Sequence, residues 1–201
     1  ISPCWDRNAT TNYFWTAGQN GTQSFNTGPS ADHTSGVGKF IYSEGFFAGS
    51  PNITSPSIDI SGLTNPELRF WYHMFGFNVD RLRVLIFDGT TWTNILTISG
   101  QQQTSETDAW QERIVDLSSY IGDTIKIRFR AFGFAGIQSD IAVDDVWVGN
   151  TPTCSAPSAL TASSPTLNSV TLAWTSGGAT NWQIRYREAG TFGPYTIVQT
   201  N

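Results

Sequence analysis

Charge is scarce in this 201-residue chain, with Asp, Glu, Lys and Arg together making up 13%, about half the usual share. There are two lysines against nine arginines, two cysteines, two histidines and one methionine. No stretch approaches the roughly 20 consecutive apolar residues of a membrane-spanning helix, and no helical repeat runs far enough for a coiled coil. The opening Ile1-Ser2-Pro3-Cys4-Trp5 carries neither a basic leader nor an apolar stretch, so it reads as the start of a mature fragment. A net charge of −5 argues against binding duplex nucleic acid, which rests mainly on phosphate neutralisation by clustered Lys and Arg. Catalytic signatures are also missing. There is no Gly-x-Ser-x-Gly elbow, neither cysteine has a base partner in sequence, and Gly36-Val37-Gly38 lacks the strand-turn-helix setting of a dinucleotide site. The fragment reads as non-enzymatic, although its parent protein can be an enzyme.

What is abundant is Gly, Ser, Thr and Asn, with 39% hydrophobic and 13% aromatic residues. This is a composition of strands and turns that supplies an ample core. Leu68, Phe70, Tyr72 and Met74 alternate with Arg69, Trp71, His73 and Phe75. Leu82, Val84 and Ile86 alternate with Arg81, Arg83 and Leu85, and Ile125, Ile127 and Phe129 with Lys126, Arg128 and Arg130. Period two means antiparallel strands with one core face and one wet face. Asp88-Gly89 predicts a hairpin joining Leu82–Phe87 to Trp92–Ile98, and Ser99-Gly100 opens a polar loop to about Asp108. Only Leu117–Ile121 suits a short helical turn, so the expected fold is an all-β, two-sheet antiparallel sandwich.

Composition shifts at Gly149-Asn150-Thr151-Pro152-Thr153-Cys154-Ser155-Ala156-Pro157, a Pro-rich junction of the kind that separates modules. The expected organisation is a β-sandwich over 1–150, a linker over 151–157 and a second unit over 158–201. Strands are expected around Leu160, over Ser169–Trp174 and over Trp182–Arg187. Cys4 and Cys154 can form one disulfide at most. A bridge closing so long a loop contributes about 4 to 5 kcal/mol in the entropic account, and the alternative is two buried thiols. Asn-x-Ser/Thr sites at Asn8, Asn20 and Asn52 fit a secreted chain, but a sequence this rich in Asn and Thr also makes them by chance.

Several motifs in order carry a family resemblance. They are Cys4-Trp5, Trp15-Thr16, Thr27-Gly28-Pro29-Ser30-Ala31-Asp32-His33-Thr34 with Gly36-Val37-Gly38-Lys39-Phe40, and Ser55-Pro56. Leu68-Arg69-Phe70-Trp71-Tyr72-His73-Met74, Leu82-Arg83-Val84, Trp110, Val115-Asp116-Leu117 and Ile141-Ala142-Val143-Asp144-Asp145-Val146 follow. Residues 1–150 resemble a MAM domain, the extracellular module of meprins, neuropilins and receptor tyrosine phosphatases. The resemblance implies a jelly-roll-like sandwich, a secreted or cell-surface location and a non-catalytic role. Two departures stand out: the animal domains usually carry four cysteines, and the acidic N-terminal strand before Cys-Trp is missing. Residues 158–201 resemble the first half of a fibronectin type III domain, with Trp174 in its second strand and Tyr186 in its third. Such a sandwich needs about 100 residues, so this unit reads as cut from a longer one. The pairing of the two modules is similar to exported multidomain proteins of Bacteroidetes-type bacteria, where neighbouring domains degrade polysaccharide or act as adhesins.

Two candidate sites emerge. Alternation puts Ile141, Val143, Asp145 and Trp147 on one face of their strand and Ala142, Asp144, Val146 and Val148 on the other, so one carboxylate is expected to face inward. A buried carboxylate is costly unless satisfied. Calcium, bound by Asp144 first, Asp32 next and Asp145 third, is one answer, and jelly-roll modules resembling this one often hold a structural cation near the first and last strands. Amide capping or an Arg partner is the other. The second site is the non-core face of the three alternating strands, with Arg69, Arg81, Arg83, Lys126, Arg128 and Arg130 beside Trp71 and His73. Aromatic rings stack on sugars and Arg forks grip sulfate or carboxylate, so an anionic polysaccharide is the expected ligand. For this face the alternatives are a structural role for Trp71 and His73 or a plain solvated surface; for the module as a whole they are adhesion by self-association or by packing on a neighbouring domain, or a spacer that positions a catalytic domain of the parent protein.

Overall fold

The alternating segments form strands wherever expected, and their pairing divides them between two sheets. The computed structural model describes residues 4–7, 14–44, 50–134, 138–152, 157–179, 181–186 and 196–200. Cys154 and Asn8 lie outside these. The chain divides into two compact units, Ile1–Asn150 and Thr151–Asn201.

In the first unit the strands are β1 (Asp6–Arg7), β2 (Trp15–Gly18), β3 (Phe40–Ser43), β4 (Asn52–Thr54), β5 (Ile58–Asp59), β6 (Pro66–Phe75), β7 (Val79–Phe87), β8 (Trp92–Ser99), β9 (Gln111–Asp116), β10 (Thr124–Gly133) and β11 (Asp140–Asn150). One sheet runs β1-β4-β10-β7-β8, with β5 also on β10, and the other runs β2-β3-β11-β6-β9. All pairings are antiparallel, giving an all-β sandwich. A single 3-10 turn, Ser118–Tyr120, stands where a helical turn was expected.

The core between the sheets holds the inward residues of all three alternating strands. Leu68, Phe70, Tyr72 and Met74 come from one sheet, and Leu82, Val84, Ile86, Ile125, Ile127 and Phe129 from the other, all fully buried. At about 1.5 to 3 kcal/mol per buried large side chain, this layer fixes which face of each strand points inward. The β7–β8 hairpin turns at Asp88-Gly89, where the Asp88 carboxylate accepts the amides of Thr90 and Thr91, both at 2.8 Å. Gly89 takes φ +96°, a left-handed value that suits glycine.

Strand β11 departs from the expected alternation. Its register against β6 shifts between Asp144 and Trp147, and Asp145 adopts φ +47°. This bulge reverses parity, so Val146 and Val148 join Ile141 and Val143 against the core. The predicted split of this strand into two faces therefore fails beyond Asp144, and neither carboxylate enters the core.

In the second unit, β12 (Ser158–Ser163) pairs with β13 (Thr171–Thr175), and β14 (Trp182–Tyr186) with β15 (Thr196–Thr200). Trp174 and Trp182 meet edge to face at 5.5 Å.

Candidate functional site

Sheet membership separates the residues that sequence alternation grouped. Arg69, Trp71 and His73 lie on β6 of one sheet, whereas Arg81, Arg83, Lys126, Arg128 and Arg130 lie on β7 and β10 of the other. Their non-core faces point to opposite sides of the sandwich, so the eight residues cannot form one surface. Alternation reports which side of its own sheet a residue occupies; it carries no information on which sheet that is.

The β6 group is largely committed to its own surroundings. His73 is fully buried, edge to face with Trp110 at 5.7 Å. Burial pushes its pKa down to about 4, with the Asp108 carboxylate and the nearby backbone of Ser105 and Asp108 opposing. Arg69 donates to Glu67 and lies 3.7 Å from Glu112. Trp71 stacks under His33 at 3.7 Å between ring centroids.

The group on β7 and β10 forms a basic face. In register, Arg130 stands opposite Arg83 and Phe132 opposite Arg81, while Arg128 faces Leu85 and Lys126 faces Phe87. Phe132 is the hub: the guanidiniums of Arg81, Arg83 and Arg130 lie 4.5, 5.1 and 5.0 Å from its ring. Arg128 sits 3.7 Å over Trp92 and donates to Thr54 at 3.0 Å, and Arg130 donates to Ser50 at 2.7 Å. Among the described residues, Arg81 alone of this group is ion-paired, with Asp80, and Arg83, Arg128 and Arg130 pair with no carboxylate. Burial, and after it the Arg130 charge, pull Arg128 below the usual arginine range, while Asp6 opposes. Like charges facing each other across strands oppose folding, so this face holds unneutralised positive charge in a protein that is acidic as a whole.

Phe132 and Trp92 were not singled out in the sequence. Phe132 continues the outward series Lys126, Arg128, Arg130, so alternation carried its signal. Trp92 arrives through the hairpin, where it pairs with Phe87.

The three aspartates of the expected metal site gather around the 31–38 loop, where their oxygens mostly meet protein donors. Asp32 accepts the amides of Ser35 at 2.9 Å and Gly38 at 2.7 Å, together with the Ser35 hydroxyl. These hydrogen bonds, the Ser35 amide foremost, hold its pKa below the usual carboxylate value. Asp144, opposite Trp71 in register, accepts the His33 amide at 3.1 Å and the Asp145 amide at 2.9 Å. Burial raises its pKa. Asp145 bonds the His33 ring at 2.7 Å and the Thr34 hydroxyl at 2.5 Å. Among the described residues no three His, Cys, Asp or Glu side chains are grouped to hold a metal ion. The donor pattern fits carboxylates that brace a loop better than a calcium shell.

Cys4 is exposed, and its predicted partner Cys154 is outside the described residues. No helix among the described residues is long and apolar enough to cross a membrane.

The first unit is thus an antiparallel two-sheet β-sandwich with a cationic face on one of its sheets. The model of the MAM domain, meprin/A5/mu, matches residues 3–155, and the chain belongs to that family. It is 33% identical over 145 residues to thyroid hormone-induced protein B of Xenopus laevis, covering 69% of this chain and 20% of that protein. It is 32% identical over 140 residues to neuropilin-1a of Danio rerio, covering 66% of this chain and 14% of that protein. The chain thus spans a fifth or less of these relatives. Among solved structures, the K1 cleaved adhesin domain of Lys-gingipain from Porphyromonas gingivalis W83 superposes with a TM-score of 0.57 at 16% identity, covering 76% of this chain and 94% of that one. TmCBM61 in complex with β-1,4-galactotriose superposes at 0.51 and 13%, covering 75% and 90%. These likenesses show the fold.

Proposed function

We propose that the first unit is a non-catalytic polysaccharide-binding module of a larger secreted protein, and that its ligand is anionic. The observation that carries this reading is the β7–β10 face, where Arg83, Arg128 and Arg130 lie over Phe132 and Trp92 without carboxylate partners. Guanidinium forks bind sulfate or uronate bidentately. A sandwich of the same fold is known in complex with a galactotriose. We read residues 158–201 as the start of a fibronectin type III spacer, with Cys4 and Cys154 bridged.

Affinity electrophoresis against neutral, sulfated and uronic polysaccharides tests the reading. Retardation by the anionic ones, abolished by Arg128→Ala with Arg130→Ala, is expected. Equal mobility in every gel removes the glycan reading.

A second reading, adhesion by self-association or by packing on a neighbouring domain, rests on a different surface. Phe77 and Phe134 are 87% and 62% exposed and lie on adjoining segments tied by the Phe134 amide to the Asn78 carbonyl at 2.9 Å. Exposed aromatics grouped this way mark contact surfaces. Light scattering at rising concentration detects association that Phe77→Ser with Phe134→Ser removes.

A further inference from the structure

Four outward side chains of β7 and β10 form a square on the basic face. Arg81 and Arg83 stand two residues apart on β7, and register sets Phe132 opposite the first and Arg130 opposite the second. The guanidiniums of all three arginines lie within 5.1 Å of the Phe132 ring centre. At their inner ends, the Nε groups of Arg81, Arg83 and Arg130 are buried with no hydrogen-bond partner. A charged group with an unmatched donor is costly to bury, so the square is short of acceptors.

It is also short of negative charge. Arg81 is paired with Asp80 at 3.0 Å and Arg130 donates to the Ser50 hydroxyl at 2.7 Å, but no carboxylate among the described residues pairs with Arg83 or Arg130. One acid therefore stands against three cations, two of which face each other directly across the strands. Like charges so placed oppose folding, and an anion received between them removes the repulsion.

Charge alone accepts any anion; the number of forks selects among them. A carboxylate has two oxygens whose lone pairs lie in one plane, and a single guanidinium fork can occupy both. Three forks around one ring are more than it can align. A sulfate ester carries three terminal oxygens spread in a cone about sulfur, one for each guanidinium. A phosphate ester has the same three oxygens, but it bears about 1.5 to 2 negative charges at pH 7 and loses more hydration against an aromatic floor than a singly charged sulfate does. We infer that Arg81, Arg83 and Arg130, gathered around Phe132, receive a sulfate ester of the polysaccharide, so that the module discriminates sulfated from uronic polymers. The inference rests on the glycan reading above and names the group that is recognised.

The test is affinity electrophoresis of the full chain against one backbone in four forms: dextran, carboxymethyl-dextran, dextran sulfate and dextran phosphate, the last three matched in charge density at pH 7. Dextran sulfate is expected to bind roughly tenfold more tightly than carboxymethyl-dextran, about the contribution of one additional charge-assisted hydrogen bond. Arg83→Lys keeps the charge and loses the fork, so it should remove this preference while leaving the salt dependence unchanged. The preference is measured on the unaltered chain, and it decides the inference even where a variant fails to fold. Equal or tighter binding of carboxymethyl-dextran overturns the inference and leaves an anionic glycan as the ligand. Tighter binding of dextran phosphate overturns it in favour of a phosphate ester. A sulfate preference kept in Arg83→Lys also overturns it, because charge then suffices without the fork. Unchanged mobility with all four dextrans overturns it too, whereas the glycan reading falls only if the wider panel of polysaccharides is inert as well.

Discussion

His73 shows how far residue type alone leads. Alternation places it away from the core correctly, and from there it reads as solvent-facing beside Trp71. Yet the loop between β8 and β9 folds over that face, and Trp110, whose indole donates to the Ala31 carbonyl at 3.1 Å, buries it. Nothing local in the sequence announces that covering. The physical consequence is a pH dependence. A buried imidazole with its pKa pushed down to about 4 stays neutral in the fold at pH values where the unfolded chain, near 6.5, takes up a proton. Above 6.5 the residue contributes no slope, and stability falls as pH drops from 6.5 toward 4, by up to about 3 kcal/mol. Asp144 acts in the opposite sense, because an acid with a raised folded pKa binds its proton more readily in the fold. Comparison with a variant isolates the histidine: urea midpoints of His73→Leu at pH 7 and pH 4.5 should differ less than those of the unaltered chain. An equal drop in both proteins assigns the acid sensitivity elsewhere.

At the scale of single elements the sequence is most informative. The hairpin of β7 and β8 was legible because Asp88-Gly89 provides both a side-chain acceptor for the turn amides and a residue free to take positive φ. The turn also shows what an element contributes to the site, because it delivers Trp92 next to Phe87 and so under Arg128. Asp88 accepts from the Thr90 and Thr91 amides and the Thr91 hydroxyl, and these bonds hold its pKa below the ordinary value. Asp88→Ala should lower the urea midpoint at neutral pH, because the turn amides of Thr90 and Thr91 lose their acceptor. The same melt at pH 2 should show a smaller difference, since the protonated carboxyl caps the amides less well. Bulges were not legible. The reversal at Asp144–Trp147 needs a residue at positive φ, and Asp145 supplies it without the glycine that would have flagged it.

Across the whole molecule, the gap in the sequence reading is sheet assignment. Strands β6, β7 and β10 share one pattern, and every inward residue was correctly placed, because the side of its own sheet on which a residue lies follows period two alone. Which strands pair depends on contacts far apart in sequence, such as Arg128 with Thr54, and no periodicity encodes them. The split of the cations makes a prediction that one shared face would not. If the β7–β10 face alone takes the anionic polymer, Arg128→Ala should weaken retardation by a sulfated polysaccharide, and Arg69→Ala, on the other sheet and already paired with Glu67 and Glu112, should leave it unchanged. Binding should also weaken with added salt, because neutralising a polyanion releases its counterions. The slope of log affinity against log salt should drop by roughly one for each arginine lost from the binding face and by none for Arg69. Equal loss in Arg69→Ala and Arg128→Ala would mean that net charge, not one face, attracts the polymer. That outcome sits poorly with a chain whose overall charge is −5, since a diffuse field of that sign repels the ligand.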